Sequence, residues 1–150
     1  MFREVTVSTS QAPVSSQVGV LLARWRNAAL RDRWSTTAPV PGNDAGYKLE
    51  ATSGYLMTAA PSGHSSEELE DCVSDRPGHP DHLLAKKDFC EAHAYRRLRT
   101  AGWVFGAREP DTQPLYQCYA DTEHSHFAAN RPDCDGLGQM ETLLGYALVR

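Results

Sequence analysis

The chain has no long apolar run. Its best stretch, Val18 to Ala23, is far short of the roughly 20 residues a membrane helix needs, which excludes helical membrane insertion. Basic charge is also short: 15 Lys and Arg against 19 Asp and Glu leave a formal charge of −4, which argues against nucleic acid as a partner. Lysine is scarce, at Lys48, Lys86 and Lys87 only, while the remaining cations are arginines, whose forks suit planar carboxylate and hydroxyl recognition. Met1-Phe2-Arg3-Glu4-Val5-Thr6 lacks the basic-then-apolar order of a secretory leader. The motifs of catalysis are missing as well. There is no Gly-x-Ser-x-Gly, no His-Glu-x-x-His and no phosphate loop, and His64, between Gly63 and Ser65, has no partner identifiable in sequence. A non-enzymatic protein is expected, with no cofactor and no metal.

What remains is a chain of 150 residues with 41% apolar content, enough for one domain with its own core. Residues 1 to 18 read as an N-terminal tail or an added edge strand, because Glu4 to Thr9 alternates polar and apolar. From about residue 19 the chain repeats itself. Leu22-Ala23-Arg24-Trp25, Leu69-Glu70-Asp71-Cys72 and Leu115-Tyr116-Gln117-Cys118 open the three copies. Asp32-Arg33-Trp34, Asp81-His82-Leu83 and Ser125-His126-Phe127 follow, and Gly54-Tyr55, Gly102-Trp103 and Gly145-Tyr146 close them. From Arg33, His82 and His126 to those glycines the distances are 21, 20 and 19 residues. The copies run over about 20–60, 67–108 and 113–150.

Each copy reads as short strands parted by turn-formers such as Pro77-Gly78 and Pro132. Glu91 to Arg99 has helical composition, but its equivalents carry Gly or Pro, so a loop with one helical turn is expected. Three units of about four strands suit closure into a barrel, because closure removes exposed edges. The expected fold is therefore all-β: a β-trefoil of three degenerate repeats of about 40 residues at 19–150, with its N-terminal tail.

Cys72, Cys90, Cys118 and Cys134 fall two to a copy, 18 and 16 residues apart. Four cysteines allow three connectivities, and repeat equivalence selects Cys72–Cys90 and Cys118–Cys134. Trp25 stands where the first copy's cysteine would be. Two bridges imply an oxidising, secreted or extracellular setting. The competing reading is zinc, through Cys90-Glu91-Ala92-His93 and His79-Pro80-Asp81-His82. The third copy has nothing matching His93, which zinc leaves unexplained.

Pro114-Leu115-Tyr116-Gln117-Cys118, His126-Phe127, Cys134-Asp135-Gly136 and Leu144-Gly145-Tyr146 together resemble a known family. They are similar to the repeat modules appended to secreted bacterial, especially actinobacterial, enzymes. Those modules carry Leu-Tyr-Arg-Cys, Gly-Asp-His-Phe, Cys-Glu-Gly and Leu-Gly-Tyr blocks. The first copy looks like a cysteine-free version, with Arg24-Trp25, Asp32 to Thr37 and Gly46 to Glu50. The resemblance covers about residues 20 to 149. It implies a β-trefoil-like accessory module that binds carbohydrate or cell-surface glycan.

Strand alternation places Trp34, Leu83 and Phe127 toward the barrel interior, and Arg33, His82 and His126 toward loops or solvent. On the functional reading these three join Asp32, Asp81, Tyr119 and Asp121 around shallow sugar pockets, where amide, carboxylate and aromatic groups meet hydroxyls. On the bland reading they hydrogen-bond a neighbouring loop in each copy. Tyr55, Trp103 and Tyr146 are expected as packing residues, and Glu67, Glu68, Glu70 and Asp71 as a solvated acidic face. A second function is an adaptor or inhibitor subunit of a secreted complex, docking on a protein partner through residues 1–18.

Overall fold

Strands take up the short apolar runs of the sequence. The computed structural model describes residues 18–39 and 46–150, so the tail reading for residues 1–17 lies outside the described residues. The strands are β1 (Gly19–Asn27), β2 (Asp32–Thr36), β3 (Tyr47–Met57), β4 (Ser66–Val73) and β5 (His82–Lys86). A single helical turn, α1 (Phe89–Ala92), then leads to β6 (Arg96–Phe105), β7 (Thr112–Ala120), β8 (Ser125–Ala129) and β9 (Gln139–Leu148). The chain is all-β, and its sheet is antiparallel. The one helical turn falls just ahead of the expected place, and residues 96–99, expected in a loop, open β6 instead.

The pairing has a regular pattern. β1 pairs with β2 and β3, β4 with β5 and β6, and β7 with β8 and β9, all antiparallel. Register shifts fall between Arg24 and Trp25, between Asp71 and Cys72, and between Gln117 and Cys118. A bulge bends its strand and increases the local twist, so all three long pairs bend at matching places. β3, β6 and β9 join one another at single points: Met57 to Trp103, Phe105 to Tyr146 and Tyr55 to Leu148. The backbones crowd there, and a Cβ on Gly54 would lie 2.5 Å from the Leu148 carbonyl oxygen.

The central core gathers Leu22, Leu56, Leu69, Leu84, Val104, Leu115 and Leu144 with Ala101, Ala128 and Ala147 between them. At one end Met57, Phe105 and Leu148 pack together, with Tyr55, Trp103 and Tyr146 partly buried against them. Those three aromatics are packing residues, as expected. Disulfides Cys72–Cys90 and Cys118–Cys134 form the expected pairs, each buried in a satellite cluster, with Leu83 in one and Phe127 in the other. The sulfurs are therefore not free to ligate zinc, and His93 stacks on Phe89 at 3.8 Å instead.

One orientation differs from expectation. Leu84 and Ala128 enter the central core, whereas Leu83 and Phe127 pack against the disulfides. Both faces of β5 and β8 are covered, one by the core and one by a disulfide-closed loop. Alternation gives the period of a strand but not which buried face is central.

Candidate functional site

The residues that precede these apolar positions build a buried polar ring. Asp32 and Asp81 are essentially without exposure, and each carboxylate reaches the next segment. Asp32 Oδ2 accepts from His82 Nδ1 at 2.6 Å, and Oδ1 accepts from the His82 backbone N–H at 3.4 Å. Asp81 does the same to His126, with 2.8 Å to Nδ1 and 2.8 Å to the backbone N–H. Ser125 completes the circuit, its Oγ accepting from the Arg33 backbone N–H at 3.0 Å. First segment reaches second, second reaches third, and third reaches first.

Each carboxylate also has a tyrosine. Tyr47 donates to Asp32 at 2.5 Å and Tyr95 to Asp81 at 2.6 Å. Both tyrosines stand seven residues before a closing glycine, Gly54 or Gly102; at the third such place the chain has Gly138, opposite the serine. A buried carboxylate and its phenol donor are thus lost together. Burial and the Asp81 carboxylate push the Tyr95 phenol above its ordinary value, so it stays a donor. Burial alone would raise Asp81, but the hydrogen bonds and charge of His126, with Tyr95, hold its carboxyl below the ordinary range.

Arg33 takes the place that His82 and His126 occupy, and its side chain turns to two carboxylates. Nε and Nη2 donate to Glu50 at 2.9 and 3.1 Å, and Nη1 donates to Glu123 at 2.5 Å. Arg24 donates to Glu50 at 2.7 Å and to Asp135 at 3.0 Å, and Arg26 pairs with Glu123. Both Arg24 and Arg33 lie over the Phe127 ring, at 5.2 and 5.6 Å. Burial would raise Glu50, but the hydrogen bonds and charges of Arg33 and Arg24 overcome it and lower the carboxyl. Asp71 behaves in the opposite way. Although Trp34 and Thr36 donate to it at 3.0 and 2.5 Å, its complete burial prevails and raises the carboxyl above its usual value.

The sign of the acid response follows. A lowered carboxyl contributes stability that is complete above about pH 5 and is lost as pH falls through about 4 and below. Asp81 and Glu50 act in this sense, and Asp71 acts against them, gaining as it protonates. Thermal unfolding followed from about pH 7 to about pH 3 should show the midpoint falling on the acid side. Asp71→Asn should make that fall steeper, because it removes the opposing contribution. An unchanged or shallower acid slope in the variant would contradict the assignment.

Of the sequence candidates, Asp32, Arg33, Asp81 and His82 therefore lie in the interior ring. Asp121 is exposed on the turn after β7. Tyr119 and His126 are the two brought together near the surface, their rings 4.7 Å apart. Sequence reasoning missed the residue that completes this place, Glu141 on β9. His126 Nε2 lies 3.1 Å from Glu141 Oε1, and Gln117 Nε2 donates to the same oxygen at 2.9 Å. Glu141 Oε2 has no hydrogen-bond partner among the described residues. Tyr119 Oη in turn meets His124 Nδ1 at 3.0 Å. The signal available for Glu141 was its place four residues before Gly145, matching Glu50 before Gly54.

Chemically, the cluster offers a carboxylate fixed through one oxygen with the other open, beside two half-buried rings. Such a set can accept from a ligand hydroxyl while an aromatic face covers an apolar one. No family model, no curated protein and no solved structure matches this chain.

Proposed function

We propose that this chain is a non-catalytic, lectin-like module that binds carbohydrate or cell-surface glycan, built as a β-trefoil of three degenerate repeats. The observation that carries the binding reading is the Glu141 carboxylate, pinned through Oε1 and open at Oε2, beside Tyr119 and His126. Sugar recognition uses such a carboxylate acceptor with an adjoining ring. In support of the trefoil reading, three segments share one strand pairing and matching bulges, and their long strands meet pairwise. The motif resemblance to modules of secreted actinobacterial enzymes favours the same fold and the same role.

A binding role is favoured over catalysis because the imidazole Nδ1 atoms of His82 and His126 are both committed to buried aspartates of a neighbouring segment. That arrangement locks segments together. Two disulfides, and no helix among the described residues long and apolar enough to cross a membrane, fit an extracellular protein.

Glycan-array screening is the test. The wild-type protein should bind a limited set of glycans, and Tyr119→Ala or Glu141→Gln should each reduce binding about tenfold or more, the loss of one ring contact or one charged hydrogen bond. Far-ultraviolet circular dichroism should be unchanged, because both residues lie at the surface edge of the cluster. No binding to any glycan, together with co-purification of a protein that deletion of residues 1–18 abolishes, would favour the adaptor function instead.

A further inference from the structure

The seams between segments are not alike, and the first holds a groove. At two of the seams a side chain five residues past the start of the middle strand bonds the carbonyl of the residue before a closing glycine. At the seam of third and first segments this is Asn130, whose Nδ2 donates to the Ser53 carbonyl at 3.2 Å and extends to the Pro114 carbonyl at 2.9 Å. At the seam of first and second segments it is Thr37. Its hydroxyl donates to the Ala101 carbonyl at 2.8 Å and goes no further. β3 and β6 meet only at Met57 and Trp103, so beyond Thr37 the seam opens.

The opening is a groove of about 300 Å³, lined by Val20, Thr37, Thr58, Arg99, Thr100 and Trp103. That volume is at the small end of the range that takes compact ligands. Arg99 is fixed rather than mobile: its guanidinium donates to Thr36 at 3.3 Å and to Thr37 at 3.1 Å. Its charge is met by Asp71 at 3.7 Å, while the side chain keeps 38% exposure. A cation already matched by a buried carboxylate offers donors without demanding an anion. Thr58 is exposed, and Trp103 packs on Met57, Phe105 and Leu148 while remaining partly exposed.

We propose that this seam is a second ligand site, independent of the Tyr119 cluster, that takes a single neutral sugar ring. The Trp103 indole covers an apolar face of the ring, and Arg99, Thr37 and Thr58 meet its hydroxyls. The assignment rests on the lectin reading only for the class of ligand. With two sites on one module, a branched or surface-displayed glycan is held by avidity even where each site alone is weak.

The probes are methyl glucoside, methyl galactoside and methyl mannoside, each titrated into the full chain labelled with nitrogen-15. The protein has three indoles, and the Trp103 resonance is identified by its loss in Trp103→Phe. At least one glycoside should shift the Trp103 indole N–H saturably. Thr37→Asn, which gives this seam the side chain of the third, should weaken that titration about tenfold or more. Thr58→Gln fills the groove from its exposed rim and should act likewise should the first variant fold poorly. Tyr119→Ala should leave the Trp103 titration unchanged. A Trp103 signal indifferent to all three glycosides overturns the proposal, as does full affinity in both groove-filling variants or loss of the titration in Tyr119→Ala. A saturable Trp103 shift combined with a glycan array unaffected by Tyr119→Ala upholds the seam and rejects the Tyr119 cluster instead.

Discussion

Asp32→Ala is expected to cost about 3–5 kcal/mol, the range for removing one partner of a buried charged pair. Asp32 touches all three segments. It accepts from Tyr47 of the first at 2.5 Å and from His82 of the second at 2.6 Å, and it lies 3.5 Å from Ser125 Oγ of the third. Its side chain has no exposure, so no water can replace what is lost. His82 would keep a buried polar atom without its carboxylate partner, and an unmet group of this kind dominates the cost. Asp32→Asn should lose less, because it keeps the shape and the imidazole can exchange its tautomer to accept from the amide. Denaturant unfolding measures both, with Asp121→Ala as an exposed control near zero. A loss below about 1 kcal/mol for Asp32→Ala would mean the ring does not hold the segments together.

The second large effect concerns the bridges. Cys118→Ala with Cys134→Ala opens a closed loop of 16 residues' separation, worth about 3 kcal/mol through the unfolded chain's regained freedom. The sulfurs are also buried beside Phe127, so a packing loss adds to it. The thermal midpoint should fall by about 10 °C or more for a domain of this size. The Cys72 and Cys90 pair, with a separation of 18, should behave similarly. Reduction of the wild-type protein with a dithiol should reproduce both losses together. A midpoint unmoved by reduction would show that the bridges do not stabilise the fold.

How much of the candidate site was legible depended on distance along the chain. Asp81 and His126 stood out because each belongs to a block that recurs in order. Glu141 did not, because its contact with His126 spans a bulge between β7 and β9, and counting residues across a register shift misplaces a partner by one. The charged ring was hidden for a related reason. Asp32, Arg33, Asp81 and His82 look like surface residues by composition, and only the neighbouring segment's donors and acceptors make their burial tolerable.

The sequence by itself determined that strands would dominate and which cysteines pair. Each of these is a local or a repeating property, carried by turn residues, short apolar runs and matched spacings. The tertiary structure alone decided which face of β5 and β8 is central, that Asp32 and Asp81 point into a neighbour, and that one seam stays open where another is filled. Those outcomes rest on contacts between segments far apart in sequence. Whether a buried carboxylate is stable, or a threonine leaves a gap, depends on what the other chain segment brings within about 3 Å, the reach of a hydrogen bond.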